Sequence, residues 1–506
     1  MMNTNTALAG LLLLPLCGFP LVYFIGRINV RLQRDPKGTR ITRWLSLAVL
    51  LAMFVPLTVL AQAQIGGQPP AALQIHQVTL RMDAIGLLLA AVTLVLSTLV
   101  VIFSWAYMAE EIGEGKFYAL LLALVGTIVG LGCTQDLFNL WVWFEGMSLT
   151  AVILVTFHHK QNGALEAGFK YLVQSVAGSV LIVLGISLVL AQEGTLDMAA
   201  VSRVVPEVTS GMLAAGTLFI AGFGVKAALV PMYTWLPDAH SQAPSGVSAM
   251  LSGVVIEAGL IAMLRALMPL AGFSHAWGPI LLGFAALNML VGNLMALRQT
   301  QVKRLLAYSS AAQMGYILFG VGLSMTFGQA DGAMGGFFHI INHALMKGAA
   351  FLSAGALLYA LYMTKDKHGP LVLDDLNGAA TRYPLIALAF SVAVLGLGAM
   401  PPLAGFMSEW QILLAGAKTT SPWMLALVVF TALNSLLSLG YYAPMVNRLY
   451  RKQAGEIVAA GVRVPLSITI PVVILMLGTV FLGIFPDLVS WLTGPAGVLL
   501  TAAFSG

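Results

Sequence analysis

Residues 222–259 read GFGVKAALVPMYTWLPDAHSQAPSGVSAMLSGVVIEAG. The apolar runs in this stretch are suited to a bilayer, yet they hold Lys226 and Glu257 and are broken by Pro231, Pro237 and Pro244. A charge near the bilayer centre costs a few kcal/mol on insertion scales, so such groups face a protein interior or a wet cavity and carry ions or protons. Pro231 removes a backbone donor about one helical turn after Lys226, an irregularity tolerated only where protein or water satisfies the freed carbonyls. The stretch therefore predicts a discontinuous membrane helix at Lys226, followed by a second span that contains Glu257.

Composition extends that reading to the whole chain. Hydrophobic residues make up 59% and charged residues only 9%, and mean hydropathy is +0.91, against roughly 25% charged in a soluble domain. The net charge of +5 does not point to nucleic acid, because the basic residues cluster in loops between apolar runs, where the positive-inside rule accounts for them. Cys17 and Cys133 are isolated, which indicates neither a disulfide framework nor a zinc or iron–sulfur site. The first apolar run lacks a basic n-region and a small-residue cleavage site, and is read as the first span and not as a removed signal.

At about 20 residues per span, the pattern predicts an all-α polytopic membrane protein of about fourteen transmembrane helices. The expected spans are 5–26, 43–62, 82–109, 117–133, 135–157, 166–191, 211–236, 243–268, 276–297, 303–324, 332–362, 383–417, 422–449 and 464–485. The tail after Pro486 is too short and too Gly/Pro-broken to count as a fifteenth. Arg27, Arg31, Arg34, Lys37, Arg40 and Arg43 crowd the first loop, which places that loop in the cytoplasm and the N-terminus outside. Alternation then puts Lys160, Arg298, Lys303, Arg304, Lys365, Lys367, Arg382, Arg448, Arg451 and Lys452 inside and only Arg81, Arg203, Arg265 and Lys418 outside. Both termini are expected on the outer side.

A second break falls at Pro401-Pro402 in GMPPLAGF, five spans after the first. An offset of five spans reverses direction through the membrane, so helices 4–8 and 9–13 are expected to be inverted five-helix repeats, each with a broken helix. Broken helices at matching places in two halves are the best sequence pointer to a transporter's site. The expected divisions are 1–110 for flanking helices 1–3, 111–270 for the first repeat, 271–452 for the second, and 453–506 for the last helix and tail.

Further spans hold polar groups that lipid would reject. Glu145 lies mid-span in DLFNLWVWFEGMSLT; a hydrogen-bonded carboxylate within a packed bundle is the alternative to a functional one. His339, His343 and Lys347 follow one another at i, i+4 steps and form one polar stripe on an apolar helix. Paired histidines also suit metal or haem, but His76, His158, His159, His240, His275 and His368 lie in loops or near span ends, which leaves no matching ligands. Glu409 follows the second break, where it either caps the restarted half-helix or takes part in transport. His240, in the turn after Asp238, is a possible proton inlet or simply a solvated histidine. Gln313 and Asn434 are suited to holding water, Lys170 to snorkelling, and Asp83 and Asp136 to surface roles.

The run Lys226, Pro231, Trp235-Leu236-Pro237-Asp238-Ala239-His240, Ala243-Pro244 and Leu251-Ser252-Gly253 resembles the signature of the antiporter-like membrane subunits of respiratory complex I (chain M/L/N type). Mrp sodium/proton antiporters and membrane-bound hydrogenases carry the same signature. WLPDAHSQAP and Glu409 favour the complex I chain M type, while NHALMKG with Lys347 leans toward Mrp D-type and hydrogenase-associated relatives. The resemblance implies a Glu145–Lys226 ion pair, a central channel lysine at Lys347 and a last step at Glu409. Such a pair works as a switch, because the carboxylate favours the charged ammonium and its withdrawal favours proton release. Glu257 departs from the pattern, which has lysine there. It is either a second counter-ion for Lys226 or the mark of an altered or silent centre.

The function these readings imply is a proton-translocating subunit of a complex I-type, NADH:quinone oxidoreductase-like membrane assembly. Its relay would run through Glu145, Lys226, Glu257, His339, His343, Lys347 and Glu409, with His240 as inlet. The alternatives are a subunit of an Mrp-type sodium/proton antiporter and a non-pumping coupling subunit of a redox or carbon-uptake complex. With no Rossmann fingerprint, P-loop or cysteine cluster, the chain is expected to hold no cofactor of its own; redox chemistry belongs to partner subunits. The expected partners are other membrane subunits, the lipid bilayer and protons, with sodium as the alternative ion. The expected location is a bacterial inner membrane.

Overall fold

The computed structural model describes residues 2–31, 39–76, 78–109, 111, 113–203, 209–362 and 369–505. Arg34, Lys37, Lys365, Lys367 and His368, named above among the loop residues, lie outside the described residues. Apart from a short antiparallel hairpin, β1 (Ala72–Ile75) with β2 (Val78–Arg81), the regular elements among the described residues are helices. In order, the long ones are α1 (Thr4–Arg31), α2 (Thr39–Ile65), α3 (Ala84–Tyr107), α4 (Glu114–Cys133), α5 (Leu137–Val155) and α6 (Asn162–Glu193). The first broken span follows as α7 (Ser210–Lys226) and α8 (Trp235–Gln242). Then come α9 (Ser245–Phe273), α10 (Trp277–Leu297), α11 (Val302–Phe327) and α12 (Ala330–Tyr362). The second broken span is α13 (Pro384–Leu397) and α14 (Ala404–Ala417), followed by α15 (Pro422–Leu449), α16 (Leu466–Ile484) and α17 (Ser490–Phe504).

Among the described residues, twelve segments are long and apolar enough to cross a membrane. One is the tail, Pro486–Phe504. The other eleven, with α11 and the two broken spans, account for fourteen crossings. α11 has the length to span, but Ser309, Ser310 and Gln313 lower its hydropathy. The tail is helical, contrary to its Gly/Pro-rich appearance, yet it does not cross. The carbonyl of Trp491 accepts a hydrogen bond from Gln64 at the end of α2, and Ser505 lies beside Gly328 at the end of α11. Those two helices end on the same face of the bundle, so α17 lies along that face.

Side-chain caps fix several starts. Asp83 accepts from the Gly86 amide at α3, Asp136 from Asn139 at α5 and Thr209 from Met212 at α7, which satisfies amides left over at a helix N-terminus. At Asp136, just before the span, burial pushes the carboxyl above its ordinary range, against the lowering effect of the Asn139 and Phe138 amides. Asp83 is no surface group: it is buried and held by both terminal nitrogens of Arg265, at 3.0 and 2.7 Å, across 182 residues of sequence. Arg265, counted from the sequence among the outer-side charges, is thus a buried structural cation on α9.

The centre of the bundle is made by α3, α9 and α12, while α1, α2, α6 and α15 are the peripheral helices. Peripheral helices turn Leu, Ile, Val and Phe outward, as a lipid or partner-facing surface requires. Glu257, His339, His343 and Lys347 sit on α9 and α12, and buried Lys226 and Glu409 sit on half-helices packed against them, where protein replaces the solvation that lipid withholds. A five-residue π-helical turn, Leu251–Val255, runs within α9 immediately ahead of Glu257.

The two breaks have the same local form. Ala228 and Ala399 both take positive φ, 55° and 51°, each three residues before a proline, Pro231 and Pro402. Non-glycine residues adopt this region only when the surroundings hold them there. At the first break Asn288 of α10 is that support: its Oδ1 accepts from Val230 N at 2.9 Å, and its Nδ2 donates to the Ala228 carbonyl at 2.9 Å. At the second, Gln313 of α11 donates to the Leu397 carbonyl at 2.9 Å, and Asn342 of α12 donates to the Ala404 carbonyl at 2.8 Å. Freed carbonyls at mid-bundle are thereby satisfied by amide side chains.

Candidate functional site

Because α7 stops at Lys226, this residue ends the first half of its broken span, fully enclosed. Its ammonium donates to Tyr171 Oη at 2.9 Å and Ser175 Oγ at 3.2 Å, both on α6. It also lies 4.2 Å from the centroid of the Tyr171 ring, within cation–π reach. Tyr171 is in turn stacked on Trp235 of α8, centroids 3.9 Å apart, and the Trp235 indole donates to the Val225 carbonyl. The lysine, its polar ligands and the restart of the helix are therefore one packed unit.

The Glu145–Lys226 ion pair implied by the resemblance is not in direct contact, though Glu145 is the carboxylate whose charge acts on the lysine. Glu145 is only partly buried, and its Oε1 has no partner among the described residues; Lys226 is satisfied by hydroxyls instead. Glu257 is not a counter-ion bonded to Lys226 either. Its Oε1 lies 2.7 Å from His343 Nδ1, and both side chains are wholly buried. Helix α9 still touches the lysine-bearing turn, through Gly259: a Cβ there would sit 3.0 Å from Lys226 Cβ.

From Glu257 the polar line continues. The rings of His343 and His339 stack with centroids 6.3 Å apart. His339 Nε2 meets Gln313 Oε1 at 2.7 Å, and its Nδ1 meets Ser408 Oγ at 2.9 Å. The next residue, Glu409, accepts through Oε2 from Ser435 of α15 at 2.7 Å. Glu257 Oε2, His343 Nε2, Glu409 Oε1 and Tyr316 Oη are buried with no protein partner among the described residues. Such groups require hydrogen bonds, so each is a point at which water can join the line. Glu257–His343 and His339–Ser408 are at hydrogen-bond spacing and can each hand a proton along by exchanging donor and acceptor roles, while the steps between the two imidazoles and on to Glu409 need a bridging water.

Lys347 lies beside this line and is bound by α11: its ammonium donates to the Leu306 carbonyl at 2.8 Å and to Ser309 Oγ, which also bonds Tyr442 Oη. His240 is not the solvated loop histidine that its turn position suggests. It is fully buried, face to face with Phe351 at 4.7 Å, and neither ring nitrogen has a partner among the described residues. Nearby, buried Lys303 donates to the Ala243 carbonyl. A cleft lined by Tyr107, Glu111, His158, Gln242 and Lys303 opens on the same side, the inner side by the loop-charge reading. The Asn434 side chain is already engaged, its Nδ2 donating to the Phe430 carbonyl at 3.0 Å and its Oδ1 accepting from Asn293 at 3.4 Å. Lys170 is half-exposed and bonds Glu166 and Asp238.

Ser175 and Ser408 were not among the sequence candidates, and Tyr171 entered only through the Lys170-Tyr171 pair, which resembles the family's pattern at the inner end of the sixth span. Tyr171 and Ser175 are spaced i, i+4 on one helix, the same signal that marks the His339–His343–Lys347 stripe. Ser408 adjoins Glu409, a signal too common to act on.

Residues 134–435 match the family model described as NADH:quinone oxidoreductase/Mrp antiporter, TM. The chain belongs to this antiporter-like membrane family. Residues 72–118 match the model for the N-terminus of complex I chain 5. The chain is 32% identical over 394 residues to NADH-quinone oxidoreductase subunit N of Desulforudis audaxviator, over 74% of this chain and 75% of that one. It superposes on a chain of the membrane-bound sulfane sulfur reductase, an archaeal respiratory membrane complex, with a TM-score of 0.85 and 27% identity over 98% of both chains. A chain of the Mrp complex from a Dietzia species has the same fold, with a TM-score of 0.84 and 21% identity over all of both chains. These antiporter-like neighbours come from multi-subunit membrane complexes, and the integral, multi-pass nature of the family agrees with the fourteen crossings.

Proposed function

We propose that this chain is the proton-translocating, antiporter-like subunit of a complex I-type membrane assembly. The observation that carries the reading is the enclosed line Glu257–His343–His339, continued by Ser408 and Gln313 toward Glu409. Ionisable side chains buried in the bundle core are otherwise hard to account for. Lys226, held by hydroxyls and an aromatic face, is the switch of the first half. Glu145, partly exposed beside it, is the group whose approach or withdrawal alters the lysine's hold on its proton. His240 and Lys303, behind the inner cleft, form the inlet, and Lys347, held by Ser309, is a branch whose ammonium opposes a lasting positive charge on His343 and so favours passing the proton on. Glu257 replaces the family's lysine with a carboxylate that has its own histidine, so the centre is rewired and not silent. The energy for transport, and any quinone or nicotinamide chemistry, comes from partner subunits in a bacterial inner membrane.

The test is proton flux in vesicles reconstituted with the complex that contains this chain. Lys226→Ala and Glu145→Gln are each expected to abolish most transport and leave assembly intact. Near-normal flux in both would overturn the reading and favour a subunit that only couples or scaffolds. Copurification with small membrane subunits that carry no redox centre would instead favour the Mrp-type assembly.

A further inference from the structure

Asn288 does more than hold the first break. Its Nδ2 also donates to the Ala311 carbonyl of α11 at 3.0 Å, so a single amide joins the break beside Lys226 to the helix that holds the other break. Two residues further along α11, Gln313 grips the Leu397 carbonyl. Helices α10 and α11 are in backbone contact along this stretch: a Cβ on Gly292 would stand 2.6 Å from the Ala312 nitrogen. Asp238 of α8 adds a further tie to α11, through Arg304 at 2.5 Å.

The amide of Gln313 also decides a proton's position. With its NH2 committed to the Leu397 carbonyl, its Oε1 faces His339 Nε2 as an acceptor, so neutral His339 carries its hydrogen on Nε2 and presents a bare Nδ1 to Ser408. If the Leu397 carbonyl moves away, the amide is free to turn and offer its NH2 to Nε2. The ring hydrogen then belongs on Nδ1, and the His339–Ser408 hydrogen bond reverses direction. No proton is gained or lost; the imidazole changes tautomer, and with it the direction in which the line beside Glu409 is set to pass a proton.

We propose that α10 and α11 act as one rigid body, with Asn288 and Gln313 as positioning residues through which the break beside Lys226 sets the His339 tautomer at the break before Glu409. This inference rests on reading the chain as a proton carrier. Asn342, which holds the second break from α12, is outside the coupled body and supplies the control.

Hydrogen exchange read by mass spectrometry on the intact complex tests the coupling without relying on flux. Asn288→Leu is expected to lose protection at 398–403 as well as at 227–234, and Gln313→Met to lose it at both breaks. Asn342→Leu should lose it at the second break alone. Loss confined to the break each residue touches would overturn the proposal. Should Asn288→Leu fail to assemble, Asn288→Asp keeps the acceptor for Val230 and removes the donor that serves both the Ala228 and the Ala311 carbonyls. Proton flux in that variant combined with Gln313→Met is expected to be no lower than in the worse single variant. Single effects that multiply, as distant independent sites do, would overturn it, and so would single variants that conduct normally. If Lys226→Ala conducts normally, the transport reading fails, while the exchange pattern still decides the coupling.

Discussion

His343 Nδ1 and Glu257 Oε1 meet at 2.7 Å, bridging 86 residues of sequence between two central helices. One partner is an acid and the other a base, and a single proton can belong to either. This gives Glu257 a role that does not depend on Lys226.

Glu257→Gln keeps an acceptor toward His343 but cannot take up and release a proton. Proton flux is expected to fall at least about tenfold, which corresponds to roughly 1.4 kcal/mol of added barrier, with assembly unchanged. Glu257→Lys, which retains a group able to exchange protons, is expected to conduct better than Glu257→Leu. A pH-sensitive dye inside reconstituted vesicles reads both, and wild-type flux in the Gln variant would remove Glu257 from the line.

Gly259 lets α9 lie directly against the turn that carries Lys226. An added Cβ would stand 2.9 Å from Ala227 N and 3.0 Å from Lys226 C. Those are backbone atoms that cannot swing aside, so Gly259→Ala must displace the turn. Flux is expected to drop severalfold with every titratable residue intact, the cost of an overpacked site being about 1–3 kcal/mol. Unchanged flux together with an unchanged melting midpoint would mean the turn can shift freely.

Much of this was legible in the chain itself. The conflict between apolar context and Lys226, Glu257 and Glu409 marked the buried line, and Pro231 and Pro401-Pro402 marked the breaks. The partners were not legible. Tyr171 and Ser175 meet Lys226 from 55 and 51 residues away, and nothing in local periodicity says which polar face of α6 turns toward which helix. Asp83 misled for the same reason: a residue at a span end reads as surface until Arg265 arrives from α9.

The Asp83–Arg265 pair should be structural. Removing one partner of a buried ion pair leaves the other uncompensated, at a cost of about 3–5 kcal/mol. Arg265 would keep only its bond to the Gly132 carbonyl. Asp83→Ala is expected to lower the thermal midpoint of the detergent-purified complex markedly, and Asp83→Leu combined with Arg265→Met to recover most of the loss. If the double variant is as unstable as the single one, the pair is not what holds α3 to α9.

Glu409 offers the sharpest separation of structural from functional roles. Were it a cap, it would serve the unpaired amides of the first turn of α14, yet that helix begins at Ala404 and has no acidic residue in its first turn. The carboxylate instead reaches across to Ser435 on α15 and leaves Oε1 facing a buried site near Tyr316. Glu409→Gln preserves size and the acceptor for Ser435, so the thermal midpoint should stay within a degree or two, consistent with a stability change under about 0.5 kcal/mol. Flux should nonetheless fall at least about tenfold, because the amide interrupts proton transfer beside Ser408 and His339. Glu409→Asp, shorter but still acidic, should retain a measurable fraction of the flux. A Gln variant that conducts normally, or one whose midpoint falls in step with its flux, would return Glu409 to a purely structural role and move the end of the line elsewhere.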